Sequence, residues 1–270
     1  MLAILKAKSL GMNYGSGLII KKRHSIFQDI SLEIEEGRTL GLMGPSGVGK
    51  TTLGMILAGL ERPSSGCVLY RGEDIWKLKG IDYLAYRRGV QMVFQDSEGS
   101  FNPRKSIEQS IHEVLRHMNI PRIEWKDKAR QALEMVGLPE ELLCRYPRQI
   151  SGGQSQRAAL SRVLLLNPKV IILDEPTSAL DISVQAQILG LLKDLQKNLG
   201  LAYLLISHQP EVIDFMAHNK AILESGEIRH EIILPRYDSA GPIPYELSIR
   251  HASFSVQGRS VPKCYGSVPY

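Results

Sequence analysis

Apolar residues along this chain fall into two spacings, short continuous runs and helical repeats, and their alternation sets the fold class. Three runs read as strands covered on both faces: Thr39 to Met43 (TLGLM), Val170 to Leu173 (VIIL) and Ala202 to Ile206 (AYLLI). The first ends in a glycine-rich loop, after which Leu53, Ile56 and Leu57 share one helical face and Gly59 marks the stop. Between the second and third runs, Val184, Ile188, Leu191, Leu192 and Leu195 repeat at helical spacing up to Gly200, a βαβ crossover that implies a parallel sheet. From about Ser97 to Asn167 the pattern turns helical, in the stretches SIEQSIHEVLRHM, WKDKARQALEMVGL and GQSQRAALSRVLLLN. It reads as a helical subdomain at about 97–167 inserted in an α/β core. Beyond Pro235, the residues Pro242, Pro244, Pro262 and Pro269 lie among scattered Ser and Gly with no period. The expected division is therefore a domain over 1–235 and a loosely ordered tail over 236–270.

Composition narrows this only a little. A chain of 270 residues, 43% hydrophobic and 23% charged, can bury one large α/β core or two small ones. Its 33 basic against 28 acidic residues give a net charge of +5 without a run of five like charges. That balance suits an anionic ligand, an acidic membrane surface or an ordinary solvated exterior. Cys67, Cys144 and Cys264 stand far apart, so neither a CxxC site nor a disulfide framework is expected, and a reduced cytosol fits. The opening MLAILKAKSLGMNYG lacks the plan of a signal peptide, and no apolar stretch reaches the ~18 to 20 residues that span a bilayer. Any membrane role is expected to run through a partner.

The chemistry sits at the strand ends. Gly44-Pro45-Ser46-Gly47-Val48-Gly49-Lys50-Thr51 fits G-x-x-x-x-G-K-[ST], a loop whose backbone N–H groups close around phosphate. In such a loop Lys50 meets the β and γ oxygens and Thr51 ligates Mg²⁺. Strand, loop and helix together predict a P-loop NTPase, a RecA-like core with a mixed or parallel sheet plus the helical insert. Asp174 and Glu175 close the VIIL strand, where Asp174 can enter the Mg²⁺ shell and Glu175 can orient or deprotonate the attacking water. Ser151, Gly152 and Gly153 open a helix, so a hydroxyl, free N–H groups and the positive helix end can face one phosphate.

Taken in order, these motifs resemble the ABC ATPase family over about residues 1–235. The order runs through an aromatic at Tyr14, the P-loop, Gln95 in VFQD, the ISGGQSQ signature, the acidic pair, Ser178-Ala179-Leu180-Asp181 and His208. The resemblance implies that Tyr14 stacks on adenine, that Thr52 joins the P-loop residues in binding ATP, and that Gln95 senses Mg²⁺ and the attacking water while touching a membrane partner. It further implies that Asp181 bridges to a facing ATPase and that His208 contacts the γ-phosphate. Each ATP is expected between the P-loop of one chain and the signature of another, so Ser151, Gly152, Gly153 and Gln154 would complete a neighbour's site. The implied partners are two membrane-spanning permease subunits, a second ATPase subunit and an extracytoplasmic solute-binding protein, with no nucleic acid. The implied location is the cytoplasmic face of the inner membrane, as a peripheral protein.

Within the family, Gln91 to Asp96 followed by Phe101-Asn102-Pro103-Arg104, and the GSGLIIKKRH segment after Tyr14, resemble the oligopeptide, dipeptide and nickel import branch. Peptide-importing members often end in a cysteine-rich extension, whereas this tail offers only Cys264, which turns the expectation toward nickel. His112 and His117 read as ordinary surface histidines rather than nickel ligands. One departure stands out: Gln209-Pro210 follows His208 where the family usually carries Asp.

Overall fold

The computed structural model describes residues 3–16 and 22–232; residues 233–235, the 236–270 tail with Cys264, and part of the segment after Tyr14 lie outside the described residues. In chain order the strands are β1 (Ala3–Ser16), β2 (Lys22–Glu35), β3 (Thr39–Met43), β4 (Ser65–Tyr70), β5 (Glu73–Asp74), β6 (Val90–Val93), β7 (Val170–Asp174), β8 (Ala202–Ile206), β9 (Asn219–Glu224) and β10 (Glu227–Ile232). The helices are α1 (Lys50–Leu57), α2 (Gly80–Gly89), α3 (Ile107–His117), α4 (Trp125–Glu134), α5 (Gly152–Leu164), α6 (Ile182–Leu199) and α7 (Pro210–Met216).

One sheet has the order β10-β9-β3-β8-β7-β6, parallel from β9 to β6 with β10 antiparallel at the edge. The expected crossover is present: α6 joins β7 to β8, which pair in parallel from Val170↔Ala202 to Asp174↔Ile206. Alternate residues of these strands serve opposite cores. Val170, Ile172, Ala202, Leu204 and Ile206 join the α1 residues Leu53, Ile56 and Leu57 and the inward face of β1 and β2. Ile171, Leu173, Tyr203 and Leu205 join the residues of α5, α6 and α7. Burial on both faces explains the unbroken apolar runs.

A second, antiparallel sheet of order β2-β1-β4-β5 covers one face, and the apolar pattern does not announce it. In β1 the buried positions run Leu5, Ala7, then Leu10, Met12, a change of parity. The register breaks between Ala7 and Leu10, where Ser9 takes φ +46°, and β2 repeats the device around Asp29 at φ +53°. A bulge adds a residue and flips every later side chain, so alternation is lost to a period-two reading.

The insert is less helical than its span suggested. Residues 97–105 are turns, and α3 begins at Ile107 behind a Ser106–Gln109 capping box. Ile107, Ile111 and Leu115 of α3, Ala129 and Leu133 of α4, and Leu160 of α5 join the core on the α5–α7 side of the parallel sheet. No helix among the described residues is long and apolar enough to cross a membrane.

Candidate functional site

The parallel strands deliver their chemistry at one edge, because all of them point the same way and end in the loops that carry it. β3 runs into the P-loop, and α1 starts at Lys50 behind Gly49, whose φ of +104° and close approach to Ile26 and Phe27 leave no room for a Cβ. Gly44 is tighter still, since a Cβ there would sit 2.1 Å from the carbonyl oxygen of Leu223 on β9. By contrast a Cβ on Gly47, at φ +79°, would meet nothing within 4 Å, so the loop is open on that side.

Lys50 is buried, and its Nζ donates to the carbonyl oxygens of Gly44 and Pro45 at 2.8 Å each. The ammonium is thus held over the loop, where phosphate oxygens can replace the two carbonyls. Thr51 Oγ1 donates to Asp174 Oδ2 at 2.8 Å, joining the start of α1 to the end of β7. Burial pushes the Asp174 carboxyl above its ordinary range, and the nearby Glu175 charge adds to this while the Thr51 hydroxyl and Lys50 oppose it. Asp174 Oδ1 is buried without a hydrogen-bond partner.

These features fit Mg²⁺: one hydroxyl and one carboxylate are hard oxygen donors, and the orphaned buried oxygen of an anion calls for a cation. Thr51 and Asp174 would hold the ion, which when bound neutralises charge on the β and γ oxygens of the nucleotide.

Glu175 follows directly in a left-handed backbone, φ +47°, a conformation that costs a residue with a Cβ roughly 1–2 kcal/mol. Its amide donates to the carbonyl of Ile206 at 3.0 Å, which fixes the turn against β8. From the end of β8, His208 grips the Glu175 carboxylate twice. Its Nδ1 lies 2.8 and 2.9 Å from the two carboxylate oxygens, and its backbone N–H donates to Oε1 at 3.1 Å. Gln95, on the loop after β6, donates to Ser178 Oγ at 3.3 Å, and that hydroxyl donates to the Glu175 carbonyl at 3.2 Å. Asp174, Glu175, His208 and Gln95 are therefore brought into one connected group.

Tyr14 is 42% exposed on β1, and its hydroxyl donates to the carboxylate of Glu61. That bond is the main reason its phenol is pushed above the ordinary value, while the Thr52 hydroxyl acts in the opposite direction. Tyr14 and Thr52 thus meet beside α1. The signature opens α5. Ser151 caps α5 by accepting from the Gln154 N–H at 3.3 Å, while Gln154 Oε1 accepts from the Ser151 N–H at 2.9 Å. Accepting leaves the Ser151 hydroxyl proton available to a further acceptor. Ser151 and Gly152 are exposed, whereas Gly153 is buried against α6, where a Cβ would come 2.4 Å from Val184. Asp181 is the N-cap of α6, accepting from the Val184 N–H at 3.0 Å.

Three residues that the motifs did not bring forward complete the group: Glu61 on Tyr14, and Thr177 and Gln185, which form one hydrogen-bonded cluster with Gln209, the departure noted after His208. Gln185 had a signal of its own. It is a buried glutamine on the face that carries Ile188, Leu189 and Leu192, and a buried amide requires partners.

Comparison with known proteins agrees with this geometry. Residues 27–178 match the model of the ABC transporter family. An oligopeptide transport ATP-binding protein, OppF of Lactococcus lactis strain IL1403, is 42% identical over 233 residues, covering 84% of this chain and 73% of that protein. A nickel import ATP-binding protein, NikE of Brucella suis, is 40% identical over 241 residues, covering 88% of this chain and 91% of that protein. Among solved structures, the dimeric post-hydrolysis state of the ATP-binding cassette MJ0796 bound to ADP and Pi superposes with a TM-score of 0.74 at 30% identity, covering 85% and 99% of the two chains. CbiO1 of Clostridium perfringens, part of an ABC transporter complex, gives 0.73 at 30% identity, covering 84% and 87%. With an open P-loop, a Thr51–Asp174 pair that fits Mg²⁺ and a Glu175 carboxylate beside it, the chain belongs to the ABC transporter family as an ATPase that binds ATP with Mg²⁺ and hydrolyses it.

Proposed function

We propose that this chain powers an importer, coupling ATP-driven closure of an ATPase pair to uptake of nickel ion or a nickel chelate. It acts from the cytoplasmic face of the inner membrane with two permease subunits, a second ATPase subunit and an extracytoplasmic solute-binding protein. Residues 1–235 form the cassette in this reading, with the insert at about 97–167. The observation that carries it is the group at the strand ends: Lys50 on the P-loop, Thr51 on Asp174, and Glu175 gripped by His208. In the assigned roles Thr51, Asp174 and Gln95 serve Mg²⁺, Glu175 prepares the water, and His208 reaches the γ-phosphate. Tyr14, Thr52 and the residues from Gly44 to Thr51 hold ATP. Ser151, Gly152, Gly153 and Gln154 complete the site of a facing chain, which Asp181 contacts. Donors that arrive only on closure tie the chemistry to a large motion.

Nickel is supported by the likeness to NikE, which extends over 91% of that protein. A second reading gives the same role with dipeptides or oligopeptides as cargo, favoured by the 42% identity to OppF. Uptake of radiolabelled nickel and of a labelled peptide, measured in a strain lacking this chain, separates the two. Loss of nickel uptake alone supports the first reading, and loss of peptide uptake alone overturns it.

A further inference from the structure

We infer that Gln209 is a positioning residue for His208 and Glu175, acting through Gln185 and Thr177. Gln185, one turn into α6, is 5% exposed. Its Nε2 donates to Gln209 Oε1 at 2.6 Å and to Thr177 Oγ1 at 3.1 Å, so both hydrogens of one amide are used. Thr177 is 4% exposed and lies two residues after Glu175. Gln209 adjoins His208, and its own N–H donates to Ser207 Oγ at 3.1 Å. His208 in turn bonds the Glu175 carboxylate from its ring and its backbone.

These contacts close a ring through Glu175, Thr177, Gln185, Gln209 and His208. The ring ties the first turn of α6 by side chains to the ends of β7 and β8, which already pair as neighbouring strands. The buried Gln185 amide gives it a restoring force: if Gln209 swings away, an N–H group is left without an acceptor where water does not reach it.

The inference rests on the roles proposed above for Glu175 and His208, and steady-state ATP hydrolysis by the full chain separates the two. Gln209→Met and Gln185→Met keep volume but remove the bond. Each is expected to lower kcat about tenfold with KM for ATP within about twofold, the scale of one lost hydrogen bond expressed in the rate. Melting temperatures should fall by about 2–4 °C for each kcal/mol that the unpaired amide costs, leaving both variants folded at the assay temperature. Gln209→Glu retains an acceptor for Gln185 and should keep the parental kcat, and the double Met variant should be no slower than the slower single. Parental kcat in both Met variants, with Glu175→Gln inactive, overturns the inference alone. Equal losses in Gln209→Glu and Gln209→Met, or additive losses that follow a fall in melting temperature, overturn it as well. Parental turnover by Glu175→Gln overturns the role of Glu175 and this inference with it.

Discussion

Asp174 carries an electrostatic cost that its ligand relieves. Its carboxyl is held above its ordinary pKa chiefly by burial, so it binds a proton more tightly in the folded chain than in the unfolded one. By linkage this group stabilises the nucleotide-free fold below the ordinary carboxylate pKa, and the contribution is lost as pH rises through the folded pKa. At neutral pH an ionised Asp174 is therefore a burden. Asp174→Asn should raise the melting temperature of the nucleotide-free chain near pH 7, because the amide is neutral where the buried carboxylate is charged. Calorimetry should show that gain shrinking as pH falls through the folded pKa of the parent carboxyl, and a gain independent of pH would refute the account. The same variant should lose Mg²⁺-dependent turnover. Lys50→Ala should lose ATP binding or turnover, because the ammonium held over Gly44 and Pro45 is gone. A fluorescent nucleotide titration reads the first and phosphate release the second. Of this group, Lys50, Thr51, Asp174, Glu175 and His208 were legible in the chain, since each sits at a fixed offset from a strand end or a glycine loop. Gln185 and Thr177 were not, and Gln209 stood out only as a departure after His208, because their partnership joins residues that no local spacing relates.

At the scale of elements, the signature helix is set by how closely α5 approaches α6. Gly153 allows it, since a Cβ there would lie 2.4 Å from Val184 Cγ1. Gly153→Ala should therefore destabilise the chain by about 1–3 kcal/mol through overpacking. Adding Val184→Ala removes the clashing methyl and should recover most of that loss. Urea midpoints at constant slope measure both, and a double variant no more stable than the single would show that space is not the reason for glycine. Asp181→Ala should cost about 1 kcal/mol by removing the N-cap of α6, a local effect independent of any facing subunit. The βαβ unit was readable because the apolar residues of α6 repeat at helical spacing between two apolar runs and stop at Gly200, which takes a left-handed backbone. The antiparallel sheet was not, because the bulges at Ser9 and Asp29 shift the buried parity within β1 and β2.

At the scale of the whole molecule, two cores flank one parallel sheet, and Ser151 and Gly152 are exposed at the start of α5. Glu175→Gln should bind ATP yet stall, accumulating a dimer that sedimentation detects with ATP and not with ADP. A variant that stays monomeric at saturating ATP would count against the shared site. Purified alone, the parent should turn over slowly, and robust hydrolysis independent of partner subunits would argue against an importer. By itself the sequence determined the P-loop, the acidic strand end, the crossover and the signature, because phosphate chemistry and helix capping demand particular residues at short, fixed separations. Only the tertiary structure decided which backbone atoms hold Lys50, why Gly153 has no side chain, how the second sheet covers the core, and that Gln209 reaches Glu175 through α6. Those contacts join residues far apart in the chain, and their distances follow from how sheet and helices pack rather than from any spacing along the sequence.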